Sequence, residues 1–159
     1  MQLTPCDLVP MVVQAVREQR LTAPARSIDV NVPPGAALPV LADVDRIGQV
    51  VTNYLTNALK YSADDTAVTV GLEVDGAMAR VSVHDAGPGI PAAEQERVWE
   101  RFYRVPGIEH RSGSGIGLGM GLHISRTIVE RHHGHVGVES QPGSGSIFWF
   151  TLPLLGDRQ

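Results

Sequence analysis

The residues best suited to chemistry stand close together. In "NYLTNALKYS", residues 53–62, Asn53 and Asn57 lie four apart and Lys60 follows three positions later. Residues four apart on a helix share one face. Two amide oxygens so placed are suitable hard ligands for a cation such as Mg²⁺. Lys60 is the single lysine among 159 residues, and the other twelve of the thirteen basic side chains are arginine. A compact ammonium on a flexible stem can rest on a phosphate oxygen as a point charge, where a planar guanidinium needs a wider fork. Spacing alone leaves the plainer reading open, because paired asparagines also decorate solvated helix faces and a single lysine must occur somewhere.

Two further segments could do chemistry. Asp85 opens "DAGPGI", a D-x-G-x-G turn, where the carboxylate can accept from an amine and Gly87 and Gly89 let backbone approach a ligand. An isolated D-x-G-x-G is commonly just a capped turn. The Gly-rich run "GSGIGLGMG" precedes a helical pattern, a place where backbone N–H groups attract anions. Its glycines, at 113, 115, 117, 119 and 121, are always two apart, so G-x-G-x-x-G is never met, and no Gly-Lys-Ser/Thr follows. Neither familiar phosphate loop is present. "RHHGH", residues 131–135, could be read as a metal tract.

These residues need elements to hold them. Residues 7–20 show near-helical apolar spacing with Asp7 as an N-cap and Pro10 in the first turn. "SIDVNV" (27–32) alternates as a strand, a Pro/Gly loop follows, and "VLA" leads to Asp43. From Asp43 to Ser62 the period is helical again: Ile47, Val50, Val51, Tyr54, Leu55, Ala58 and Leu59 fill one side, while Arg46, Gln49, Asn53, Asn57 and Lys60 cluster elsewhere. Residues 67–74 and 79–85 predict an antiparallel hairpin joined at "DGAM". "AAEQERVWERFYR" predicts a short helical stretch, and a helix is expected from about Gly119 to His133. "HVGVES" and "SIFWFTLP", joined at "QPGSG", close the chain as two strands.

Length and 43% hydrophobic content suit one domain with its own core. A net charge of −4 and scattered arginines argue against a nucleic-acid surface. Cys6 stands alone, so no internal disulfide or paired-cysteine metal site is possible, which suits a reducing compartment. No apolar run is long enough to span a membrane and the start lacks a secretory pattern. The chain is expected to be cytoplasmic, with room for an inner-membrane anchor in a longer parent.

Four segments in order, "DVDRIGQVVTNYLTNALKYS", "DAGPGIP", "VWERFYR" and "GIGLGMGLHISRTIVERHHG", resemble the N, G1, F and G2 boxes of the catalytic and ATP-binding domain of sensor histidine kinases. That domain shares its superfamily with DNA gyrase, heat-shock chaperones and mismatch-repair ATPases. The likeness spans nearly all of residues 7–153. It implies an α+β fold: a two-layer sandwich with a mixed, mostly antiparallel sheet of about five strands, three helices on one face and a Gly-rich ATP lid at about 103–118. It also implies one ATP-binding catalytic domain over 1–159 (core 7–153), with the dimerisation and phosphoacceptor hairpin absent.

By the same resemblance ATP and Mg²⁺ are the cofactors. Asn57 is the direct Mg²⁺ ligand, Asn53 lies beside the phosphates, Lys60 contacts them, and Tyr61 packs near the nucleotide. Asp85 specifies adenine, with Gly87, Gly89 and Ile90 along the base. Phe102 anchors the lid, Tyr103 packs near the base and Arg104 reaches the phosphates. Gly117, Leu118, Gly119, Met120, Gly121 and Leu122 close over the triphosphate, Met120 replacing the usual leucine. Asn53, Lys60 and Arg104 are the catalytic candidates. His132 matches a helix-end histidine, and His133 replaces a usual glycine. The implied reaction moves the γ-phosphoryl group of ATP to a histidine on a separate dimerisation domain, with a response regulator downstream. The alternatives are a stand-alone serine kinase of the anti-sigma-factor type and a nucleotide-sensing module without transfer activity.

Overall fold

A computed structural model of the chain describes residues 1–101 and 121–156. Strand β1 (Thr4–Asp7) leads directly into helix α1 (Leu8–Thr22), followed by β2 (Ser27–Asn31), β3 (Pro39–Ala42), α2 (Val44–Tyr61), β4 (Ala67–Asp75) and β5 (Met78–Asp85). After residue 120 come α3 (Gly121–Arg131), β6 (His135–Ser140) and β7 (Ser146–Pro153). The main sheet has the order β2-β4-β5-β7-β6. Only β2 and β4 run parallel; the other three pairings are antiparallel. The expected α+β sandwich with a mixed five-stranded sheet is therefore what the chain forms.

Period-2 patterning sends one face of the sheet into the core. Val70 pairs with Val83, Val83 with Phe148, and Val81 with Phe150, and all five are buried. The three α-helices cover this face. Ile47, Val50, Val51, Tyr54, Leu55 and Ala58 of α2 are buried as the helical period predicts, with Leu59 half-buried at the margin. The opposite face stays open: Arg80 stacks 4.5 Å from the Trp149 ring centre and pairs with Glu139 at 3.2 Å.

Helix ends are capped from side chains. Asp7 accepts from Val9 N at 3.0 Å and from Leu38 N at 2.9 Å. Asp43 accepts from Arg46 N at 3.2 Å and from Gln2 N at 3.0 Å, and these two donors, Gln2 first, hold its carboxyl below the ordinary range. The far end of α2 is capped by Arg26, whose guanidinium donates to the Leu59 carbonyl at 2.9 Å and to Ser62 Oγ at 2.7 Å. A cation at a helix C-terminus offsets the negative end of the helix dipole.

Three expectations need correction. Strand β1, unforeseen in the sequence, pairs antiparallel with β3 in a separate two-stranded sheet. The stretch expected to be helical after residue 91 is two 3₁₀ turns, Ala92–Glu94 and Arg97–Trp99, and Glu100 is already extended. Tertiary contacts override the helical pattern there: Gln95 Nε2 donates to the Ile90 and Ser140 carbonyls, and Trp99 is buried against Tyr54 and Phe148. Helix α3 ends at Arg131, before the expected His133, because His133 takes φ +65°. His133 N bonds to Glu130 O and Gly134 N to Val129 O, both at 3.0 Å, which is a Schellman termination with histidine where glycine is favoured.

An exposed non-glycine residue in that conformation carries a backbone cost. His133→Gly is therefore expected to stabilise the fold by about 0.5–1 kcal/mol after the added chain entropy is set against it, raising the thermal midpoint by about 2 °C. A scan that shows a lower midpoint would contradict this.

Candidate functional site

The polar face of α2 forms one wall. Its rotation is fixed by Tyr54, which is 1% exposed, lies edge-on to Phe148 and Phe150, and donates its hydroxyl to the Trp149 carbonyl at 3.1 Å. With Tyr54 turned into the core, Asn53, Asn57 and Lys60 remain half-buried on the other side. Asn53 Nδ2 donates to Gly121 O and to Ser125 Oγ, each at 3.3 Å, so α3 abuts this face at its first turn. Neither the Asn57 amide nor the Lys60 ammonium has a hydrogen bond or ion pair among the described residues.

The second wall is the end of β5. Asp85 is 4% exposed, and its Oδ1 accepts from Gly87 N at 2.8 Å. Burial pushes its carboxyl above the ordinary range, with the Gly87 amide and nearby His84 opposing that shift. A side chain at Gly87 would put its Cβ 2.5 Å from the Tyr61 carbonyl oxygen, so this loop and the last turn of α2 meet through a bare backbone. Gly89, at φ +81°, presses against the Gln141 carbonyl in the same way. Ile90, buried at 7% exposure, donates its N–H to Ser140 Oγ at 2.6 Å, and Ser140 Oγ bonds in turn to Gly145 O and Ser146 Oγ, each at 2.9 Å. The loop after Asp85 is thus pinned to the β6–β7 hairpin.

Of the expected site residues, Asn53, Asn57, Lys60 and Tyr61 share α2, and Asp85, Gly87, Gly89 and Ile90 share the loop that touches its end. Gly121 meets Asn53, and Leu122 packs half-buried against the core. Phe102, Tyr103, Arg104, Gly117, Leu118, Gly119 and Met120 lie outside the described residues. Ser125 escaped the sequence reading, and His132 was read only as a helix-end histidine, without its partner. Ser125 is fully buried yet polar, on the stripe of α3 that carries Ile128 and Val129. His132 accepts from Asp43 N through Nε2 at 3.0 Å while Nδ1–H faces Ile128 O at 2.8 Å, tying the end of α3 to the start of α2. Polar residues on an apolar helical stripe were the available signal for both.

A half-buried wall bearing amides and an ammonium, beside a buried carboxylate under glycine backbone, suits a ligand that is anionic at one end and carries a planar amine at the other. Residues 42–156 match the family model described as Histidine kinase-, DNA gyrase B-, and HSP90-like ATPase. The chain belongs to that family. It is 43% identical over 136 residues to the adaptive-response sensory kinase SasA of Prochlorococcus marinus, covering 84% of this chain and 35% of the relative. Its identity to SasA of Nostoc sp. is 36% over 155 residues, covering 96% and 37%. The chain thus spans little more than a third of the length of these curated relatives.

Among solved structures, the catalytic domain of histidine kinase ThkA superposes with a TM-score of 0.80 at 26% identity, covering 97% of each chain. The mycobacterial sensor histidine kinase MprB gives 0.79 at 28%, covering 96% of this chain and 97% of the other. This family member has the ATP-binding fold of histidine kinase catalytic domains. No helix among its described residues is long and apolar enough to cross a membrane.

Because burial raises the Asp85 pKa, its protonated form is favoured in the folded state; its contribution to stability is present at low pH and lost as pH rises through the folded pKa. Asp85→Asn removes that titration. The thermal midpoint of the variant relative to wild type should therefore climb as pH rises from below the ordinary aspartate range through the raised folded-state pKa. A flat difference across that window would show that the buried carboxyl is not strained.

Proposed function

We propose that this chain is the catalytic domain of a sensor histidine kinase, moving the γ-phosphoryl group of ATP to a histidine imidazole on a separate dimerisation domain, with a response regulator downstream. The reading is supported most by one arrangement: the asparagine-lysine face of α2 and the buried Asp85 meet where Tyr61 O abuts Gly87. Asp85 accepts from the adenine amine. An oxygen already engaged by Gly87 N leaves Oδ2 for the base. Lys60 neutralises phosphate charge, and Asn53 orients the triphosphate through Oδ1. Tyr61, Gly87, Gly89, Ile90, Gly121 and Leu122 line the nucleotide, as do Phe102, Tyr103, Gly117, Leu118, Gly119 and Met120. Arg104 is assigned to the phosphates.

The donor set fits Mg²⁺. Asn57 has a hard amide oxygen with no competing partner among the described residues and would hold the ion there. That ion supplies charge neutralisation to the triphosphate oxygens when bound. The chain's own residues contribute positioning and a fixed positive charge, which is the main demand of phosphoryl transfer. The imidazole nitrogen forms the new P–N bond as the bond between phosphorus and the β,γ-bridging oxygen breaks, and ADP departs with the electron pair. The work is placed in the cytoplasm, where ATP is supplied.

Calorimetric titration with ATP, ADP and GTP, with and without Mg²⁺, tests the binding half. Asn57→Ala is expected to abolish the gain that Mg²⁺ gives to ATP, and Asp85→Asn to weaken ATP about tenfold or more, since an amide nitrogen would face the base amine. Lys60→Arg should weaken ATP about tenfold while the fold persists. GTP binding as tight as ATP would sink the adenine assignment. For transfer, a purified dimerisation domain of a related kinase should acquire acid-labile phosphate; an acid-stable phosphate would instead indicate a hydroxyl acceptor.

A further inference from the structure

The Asn53 amide is gripped from behind by α3. Its Nδ2 lies 3.3 Å from Gly121 O and 3.3 Å from Ser125 Oγ. A backbone carbonyl only accepts, so the amide must present nitrogen, not oxygen, to α3. An amide nitrogen carries two hydrogens, and the two acceptors use both. The last torsion of an asparagine is ordinarily broad; here two bonds from one side fix it. Oδ1 is the atom of that amide left for a ligand.

Ser125 has no exposed surface, so its hydroxyl serves neither solvent nor substrate. Asn53 is the one side-chain partner of that hydroxyl among the described residues. Its neighbours on the same stripe, Ile128 and Val129, are buried and apolar, and alanine would pack there without the cost of burying a polar group. We infer that Ser125 is a positioning residue for nucleotide binding: with Gly121 O, it locks the Asn53 amide so that Oδ1 is held toward the Mg²⁺–triphosphate. The inference rests on the assignment of Asn53 to the nucleotide site. Ser125 touches no substrate; it acts through Asn53.

The test is a double-mutant cycle on the full chain, with Mg²⁺–ATP and adenosine as probes and calorimetry as the readout. Ser125→Ala removes one hydroxyl from a helix and leaves the Gly121 carbonyl in place. It is expected to weaken Mg²⁺–ATP about three- to tenfold, leaving adenosine affinity unchanged because adenosine carries no phosphate. In the Asn53→Ala background the same substitution should cost nothing further, since the group it positions is gone. An equal loss in both backgrounds would mark Ser125 as a packing residue and overturn the inference. So would a wild-type affinity for Ser125→Ala alongside a weakened Asn53→Ala, an outcome that leaves the nucleotide-site reading standing. Wild-type affinity for Asn53→Ala would remove Asn53 from the site and overturn the inference, while the Asn57, Lys60 and Asp85 assignments are decided by their own titrations.

Discussion

The placement of Tyr54 governs everything built on α2. A helix turns by about 100° per residue, so committing one position to the core commits its neighbours to defined directions. Tyr54 stands directly after Asn53 and three residues before Asn57. Its ring is wedged among Trp99, Phe148 and Phe150, and its hydroxyl reaches across to the β7 backbone. A leucine in its place would bury apolar surface but would give no directional bond between helix and sheet. The hydroxyl converts a greasy contact, tolerant of small rotations, into one with a preferred angle. The asparagines inherit that angle.

The carboxylate side is held differently. Among the described residues Asp85 has no ion-pair partner; it is buried, accepts from Gly87 N, and keeps a carboxyl whose ionised form burial disfavours. Such a group gains from any ligand that brings a donor to it, because the donor favours the charged state that burial penalises. The surrounding backbone is tied down on several sides. Ile90 N is fixed to Ser140, Gly89 is pressed on Gln141, and Gly143 N bonds to Pro88 O at 2.7 Å. A rigid mount around a buried acceptor is a form of preorganisation: the cost is met on folding and not at binding.

Much of this was legible in the sequence because it is periodic or local. The amphipathic α2, the β4–β5 and β6–β7 hairpins and the N-caps at Asp7 and Asp43 each announce themselves within a few residues. The features that stayed hidden are settled by distant partners. β1 is four residues long, contains a proline, and finds its register only against β3, some thirty-five positions away. The turns at 92–99 follow Trp99 into the aromatic cluster and do not follow local helical spacing. Ser125 looked like any polar residue in a helix, since its partner lies 72 positions earlier. The candidate site could be proposed from residue types, while the contacts that orient those residues could not.

Arg26 gives a different view of the lone lysine. The last turn of a helix attracts positive charge, and Lys60, lying in that turn, is the nearest local candidate to cap its own carbonyls. Arg26 has taken that post from outside, with a guanidinium only 7% exposed in its side chain and seated on Leu59 O and Ser62. Two cations thus divide two tasks that compete for one location. The fork, able to bind several acceptors at once, does the structural work at the helix end. The point charge is spared it, and is left over for whatever enters from solution.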